Sequence, residues 1–303
     1  MKTAKPSTTI VNGATGLMAR LGLLCLVVLA LVGSAEAQIG ISPARTEFFL
    51  DDGPKTHSIR VFNLGTRRVS ISVEVNNWEL DEENKVRIIP PTEQSLDQWL
   101  VINPLRFTLE PGGSQAVRFA ARPRLQPEPG EHRALVFFEQ IPDDNMPENP
   151  DGSRILFRLG TSVIGLVEPV VRDGVIHAVT ADRNTISFDI ESRGNTHVRL
   201  RGQWALWPVA LFPGREKTMP IEGLDEDEEA TLPDGMTAAG TLSLTPVLPG
   251  TRRMVTTSIF AELDPGDYVF DLHGTVGGMD IGRTIELKVL PDEDVETEPP
   301  SGE

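Results

Sequence analysis

The chain has 303 residues and carries 28 basic against 44 acidic side chains, a formal net charge of −16 at pH 7. That balance makes nucleic acid and anionic membrane surfaces poor partners. A single cysteine, Cys25, leaves no pair from which a disulfide could brace the fold.

Residues 1–37 have the pattern of a secretory signal peptide. Lys2, Lys5 and Arg20 precede an apolar stretch from Leu21 to Val32, and Ala35-Glu36-Ala37 supplies a small-residue exit. The apolar stretch is short for a bilayer and no second one follows, so export without stable membrane insertion is expected. Cleavage before Gln38 would remove Lys2, Lys5, Arg20 and Glu36, leaving 266 residues with 25 basic and 43 acidic side chains, net −18. It would also remove Cys25. A soluble protein of the periplasm is the compartment that follows.

Beyond the leader the period is two, not 3.6. "HSIRVFNL", "RVSISVEVNNW", "SQAVRFAARP" and "RALVFFEQIP" alternate apolar and polar residues between clusters of Gly, Pro, Asn and Asp. About seven or eight such runs lie between Gln38 and Val167, enough for one immunoglobulin-like β-sandwich. The run "RILFRLGTSVIGLVEPV", residues 154–170, closes this part. Ile155, Phe157 and Leu159 share one side of its pleat, with Leu156, Arg158 and Gly160 on the other.

The pattern restarts after Pro169 with "GVIHAVTAD", "TISFDIESR" and "THVRLRGQWAL" and finishes with "RMVTTSIFAEL", "GDYVFDLHGTV" and "GRTIELKVL". The expectation is an all-β chain of two immunoglobulin-like sandwiches in tandem, over residues 38–168 and 169–290, followed by an acidic disordered tail over 291–303. Residues 212–235 are too polar and too rich in Pro and Gly for core and are expected to form a long loop. Their acidic run from Asp225 to Glu229 has the pattern of a solvated face.

No catalytic signature is present. The histidines His57, His132, His177, His197 and His273 are scattered without metal-ligand spacing, and there is no nucleophile elbow, phosphate-binding loop or dinucleotide fingerprint. No enzyme activity, cofactor or metal is expected. Trp78, Trp99, Trp204 and Trp207 are expected to be core or interface anchors.

Several stretches of the first domain resemble the PapD-like periplasmic chaperones of the chaperone–usher pilus pathway. They are "ISPART" at the first strand, "RVFNLGTRRVSISVEVNNW", "VINPLRFTLEPGGSQAVRF" with Pro104, Leu109, Pro111 and Gly112 in the family's spacing, and "EHRALVFFEQIP". The resemblance covers most of residues 39–170. In the second domain only "ESRGNTHVRL" resembles the family, and the rest is longer than its pattern.

The resemblance implies a chaperone that stabilises pilin-like or surface-fibre subunits by donating its last first-domain strand, with an outer-membrane usher as a further partner. Ile155, Phe157 and Leu159 would then face the subunit groove, preceded by the polar loop "DDNMPENPDGSR", and Leu156 would face the protein's own core. The other reading is that the three apolar residues simply pack under their own sheet. The resemblance also implies a carboxylate anchor made of a first-strand arginine and a lysine on the donated strand. Arg45 fits the arginine, or Glu47 occupies that position if the register shifts by two, and no lysine lies near Ile164. A pair of Arg133 and Glu168, with the family's charges exchanged, is expected to brace the domain junction. The alternative function is an exported scaffold or adhesin-type binding protein of the same fold with no donated strand.

Overall fold

The computed structural model describes residues 39–50, 56–143, 151–224 and 230–290. The expected leader, the acidic run Asp225 to Glu229, the acidic tail and most of the polar loop before Ile155 lie outside them. No helix among the described residues is long and apolar enough to cross a membrane.

The first sandwich contains strands β1 (Ile39–Ser42), β2 (Arg45–Phe49), β3 (His57–Asn63), β4 (Val69–Leu80), β5 (Val86–Ile89), β6 (Leu100–Asn103), β7 (Arg106–Leu109), β8 (Ser114–Ala121), β9 (Gly130–Gln140) and β10 (Arg158–Val167). One sheet runs β1-β3-β8-β6, and the other runs β2-β10-β9-β4-β5 with β7 also on β4. Period-two alternation sets the layers. In β3, Ile59 and Val61 are buried while Ser58 and Arg60 are exposed, and β4 buries Val69, Ile71 and Val73 on the same principle. Trp99, Phe119 and Phe138 fill the space between the sheets.

The chain changes sheets at its start. β1 pairs antiparallel with β3; after the cis Ser42-Pro43 peptide, β2 runs parallel to β10 in the opposite sheet.

The second sandwich contains β11 (Gly174–Ala181), β12 (Thr185–Ser192), β13 (Leu200–Pro208), β14 (Ala238–Thr241), β15 (Arg252–Ser258), β16 (Gly266–Val276), β17 (Met279–Asp280) and β18 (Arg283–Val289). Its sheets are β11-β12-β15 and β14-β13-β16-β17, with β18 also on β16. Phe188, Trp204 and Phe270 centre its core. Both halves are therefore antiparallel-rich sandwiches of the immunoglobulin-like kind. Trp207 is also buried, and Phe212 packs against it with ring centroids 6.3 Å apart.

The described part of the long loop after β13, up to Leu224, is more ordered than its polar composition suggests, because part-buried hydrogen bonds fix it. Gln203 donates to the Ile221 carbonyl at 2.8 Å and accepts from its N–H at 2.7 Å. Arg215 reaches the fully buried carboxylate of Asp271 at 2.7 Å and the Leu272 carbonyl at 2.8 Å. His273 Nε2 also meets Asp271, at 2.9 Å, and lies 3.2 Å from Thr218 Oγ1. A hydroxyl, an imidazole and a carboxylate thus converge, but both oxygens face the same ring nitrogen. A proton relay needs one on each nitrogen, so this group is a clasp.

Asp271→Asn should cost about 3 kcal/mol, since it leaves the guanidinium without its charge partner. Limited trypsin digestion is expected to cut after Arg215 and Lys217 several-fold faster in that variant, and an unchanged cleavage rate would rule the clasp out.

Candidate functional site

The backbone of β10 serves two edges, and its hydrogen-bond parity assigns each residue to one of them. Gln140 N–H donates to the Phe157 carbonyl at 2.9 Å, and the antiparallel register pairs Leu159 with Phe138 and Thr161 with Val136. Odd residues therefore direct their N–H and C=O groups at β9 and even residues direct theirs at the other edge. On that other edge Ser162 N–H donates to the Ala44 carbonyl at 3.3 Å, and the Leu166 carbonyl accepts from Leu50 N–H at 2.8 Å. β2 covers this edge from Ser162 to Leu166. Among the described residues Arg158 and Gly160 have no strand beside them on this edge, which leaves a short stretch of ladder groups open there.

Side chains follow the same parity. Val163 belongs to the first-domain core, and Phe157 and Leu159 lean half-buried against it. On the outer face Arg158 lies over the Phe137 ring at 3.8 Å from its centroid. It is also 3.5 Å from Glu74 and 3.6 Å from Glu139. Of the expected groove residues, Phe157 and Leu159 sit together at the open edge, while Ile155, 67 % exposed, precedes the strand. Phe157 is more accessible than Phe119, which is 1 % exposed. Phe137 is half-buried like Phe157, because it faces outward under Arg158. The expectation that Leu156 faces the core is wrong. It is 43 % exposed, since even positions point away from the sandwich and the strand begins only at Arg158.

Arg45 opens β2 opposite Ser162 and is exposed. Glu47, two residues on, accepts from Arg172 of the interdomain segment at 2.8 Å.

The domain junction is built differently from the expected Arg133–Glu168 pair. The β9–β10 register puts Arg133 opposite Ile164 and Val167 opposite Gly130, so Glu168 lies past the end of the ladder. Arg133 instead reaches Glu131 at 3.2 Å, and the Glu168 carboxylate accepts from Val170 N–H at 2.9 Å. Glu131, whose side chain is fully buried, takes His197 N–H at 2.9 Å and a further close contact from His197 Nδ1. Burial alone would push the Glu131 carboxyl up, but the hydrogen bond and charge of His197, helped by Arg133, hold it below the usual carboxylate range.

Asn195 completes this clamp. Its side chain bonds the Pro169 carbonyl at 2.8 Å and Val171 N–H at 2.7 Å, and its carbonyl accepts from Glu131 N–H at 2.9 Å. Gly130 is needed here: its φ is +119°, and a Cβ would meet the Asn195 carbonyl oxygen at 2.6 Å. Across the junction, Trp78 and Leu135 bury Leu248 of the second domain. Arg253 donates to the Asp81 carbonyl at 3.0 Å and to Asn84 Oδ1 at 2.9 Å. Sequence reasoning missed Glu131, Asn195 and His197 as a unit because Glu131 lies more than sixty residues from the other two. Only the turn glycine before Glu131 and the Asn-containing turn at Asn195 marked their neighbourhoods.

Residues 40–170 match the family described as the pili and flagellar-assembly chaperone, PapD N-terminal domain. The first domain is a PapD-type N-terminal domain. Among solved structures, the YadV chaperone is 11 % identical, covers 83 % of this chain and 100 % of its own, and superposes with a TM-score of 0.42. The CfaA class 5 fimbriae chaperone is 12 % identical over 84 % of this chain and 99 % of its own, TM-score 0.41. The CupB2 chaperone of Pseudomonas aeruginosa is 13 % identical over 83 % and 100 %, TM-score 0.37. No curated protein matches the chain.

The Glu131 clamp carries a pH signature. A carboxyl depressed by folding contributes stability above its unfolded value, about 4.5, and that contribution is lost as pH falls through the folded value. Urea unfolding between pH 7 and pH 3 should therefore show an acid limb in the wild type that is shallower in Glu131→Gln. The variant should already be weaker by about 3 kcal/mol at pH 7. Superimposable pH profiles would contradict the clamp.

Proposed function

We propose that the protein is a periplasmic chaperone for pilin-like or surface-fibre subunits, and that it holds a subunit by lending the open edge of β10 to an extended segment of it. The observation that carries this reading is the parity of β10: Arg158 and Gly160 present ladder groups with no strand partner among the described residues, beside half-buried Phe157 and Leu159. Main-chain bonds to such an edge supply affinity, and alternate side chains next to Phe157 and Leu159 supply selectivity, with Ile155 extending the contact.

The position of β2 supports a limit on how far such a segment runs, and Arg45 supports a direction for it. β2 occupies the edge from Ser162 onward, so an added strand must stop where Ala44 begins. Arg45 stands at that stop. A guanidinium there favours a chain that ends in its carboxylate, and a C-terminus at this point means the added strand runs parallel to β10, as β2 does. Arg45 is thus the anchor of the subunit's terminal carboxylate.

The two faces of the strand separate the proposal from simple self-packing. Phe119→Ala should cost about 3 to 5 kcal/mol as a fully buried phenylalanine, whereas Phe157→Ala should cost less than half as much. Phe157→Glu and Leu159→Glu are expected to stay soluble and folded yet lose co-exported subunits in pull-downs, because a carboxylate would be buried unpaired against the bound segment. Leu156→Glu should retain them. Arg45→Ala should keep its unfolding temperature, since an exposed arginine adds little stability, and still lose the subunit. Collapse of the first domain in Phe157→Glu, or undiminished capture by Phe157→Glu and Arg45→Ala, would overturn the reading.

A further inference from the structure

A strand carries side chains on both faces, and the outward face of β10 differs in kind from the inward one that holds Phe157 and Leu159. Its first residues are Arg158, Gly160 and Ser162, which the register sets beside Glu139, Phe137 and Leu135 of β9. β4 continues these rows, with Glu74 opposite Phe137 and Asn76 opposite Leu135. A sheet face that water reaches is ordinarily polar. Here apolar side chains run along it from the domain junction: Leu248 of the second domain packs with Trp78 and Leu135, and Phe137 joins the same cluster as its half-buried end.

Gly160 stands where this strip reaches the open edge. It is not one of the glycines at positive φ, so backbone freedom does not explain it. Crowding does. A Cβ at Gly160 would meet Phe137 Cε1 at 3.1 Å and Leu135 Cδ1 at 3.5 Å, so the ring already leans over β10 into the space a side chain would take. Arg158 covers the ring at 3.8 Å from its centroid, itself 3.5 Å from Glu74 and 3.6 Å from Glu139. A strand added to the open edge would lie about 10 Å from β9, two spacings of roughly 4.8 Å. Across an ordinary residue their outward side chains are kept apart. Across Gly160 they meet, because its Cα carries no side chain and Phe137 covers part of the distance.

We infer that the open edge of β10 is read on both faces: the extended segment turns a large apolar side chain, aromatic in preference, outward beside Gly160, where it closes over the glycine onto Phe137 and Leu135. This rests on the strand-addition reading and adds to it the chemistry of the segment that is bound. The inward side chains of the segment lie beside Phe157 and Leu159. The outward one extends the strip that begins at Leu248, so the surface it meets is continuous with the domain interface. Two rings that approach over a glycine meet offset or edge to face, which contributes beyond the area they bury. A lysine in the same place is repelled by Arg158.

Short peptides that alternate valine on the inward side with threonine on the outward side are the probe, and phenylalanine then replaces one outward threonine at a time. With the full chain, one such replacement should tighten binding about fivefold over the all-threonine peptide, the scale of one aromatic pair. Lysine at that same position should weaken it. Phe137→Leu leaves an apolar residue in the cluster but is too short to reach over β10, and Gly160→Ala fills the gap with a methyl group. Both variants should bind the all-threonine peptide as the wild type does, which is the control for an intact fold, and both should lose the preference for phenylalanine. If every peptide binds and no outward position prefers phenylalanine, or if either variant keeps the preference in full, the inference is overturned and strand addition stands. If no peptide binds, strand addition falls and the inference falls with it.

Discussion

The hydrogen bond from Ser162 N–H to the Ala44 carbonyl, at 3.3 Å, divides the edge of β10 into two parts with different fates. Beyond it, β2 satisfies the ladder groups and the strand is ordinary sandwich. Before it, the outward backbone groups of Arg158 and Gly160 have no strand partner among the described residues, and Phe157 and Leu159 are only half covered. The division follows from the chain switching sheets between β1 and β2, so that a single short strand cannot close both sheets along their length. An edge left open is a liability for a lone protein. Arg158 moderates it, because its contacts with Phe137, Glu74 and Glu139 bring charge to the outer face beside the opening.

The same strand leads into the junction. β10 ends at Val167, and within a few residues the chain is held by Asn195, Glu131 and His197. Arg172 ties the connecting segment back to Glu47 on β2. The strand edge, β2 and the domain interface are therefore linked through one stretch of chain. A buried carboxylate with three donors is costly to disturb, which makes Glu131 the pin of the junction.

Much of this was legible in the sequence because it follows from periodicity and turn chemistry. The alternation in "HSIRVFNL" became β3, the Pro111-Gly112 turn leads into β8, and the two sandwiches fall where the pattern restarts. That Phe157 and Leu159 share one side of the strand was also legible, since alternation assigns faces once a strand exists, but that side is the one packed against the first-domain core, opposite to the facing expected for them. What alternation does not give is which of the two faces meets the core: Leu156 is expected against it, yet the odd positions Phe157, Leu159 and Val163 take that side and Leu156 lies exposed before the strand. The junction was the least legible part. Arg133 and Glu168 have suitable charges, but a ladder register decides which side chains meet, and it puts Ile164 opposite Arg133. Glu131 and His197 pair over a separation no local pattern spans. The ordered loop after β13 was hidden for a related reason, since its polar residues satisfy one another and buried Asp271 rather than water.

The open edge is most directly tested by residue-resolved amide hydrogen exchange of the full chain. In the free protein, Leu159 and Thr161 amides, bonded to β9, should be protected, whereas Arg158 and Gly160 amides should exchange at rates close to those of an unfolded chain. Adding an extended peptide with a free terminal carboxylate should slow Arg158 and Gly160 and leave Leu159 and Thr161 as they were. Strong protection of all four amides in the free protein, or no slowing of Arg158 and Gly160 when the peptide is bound, would contradict the account.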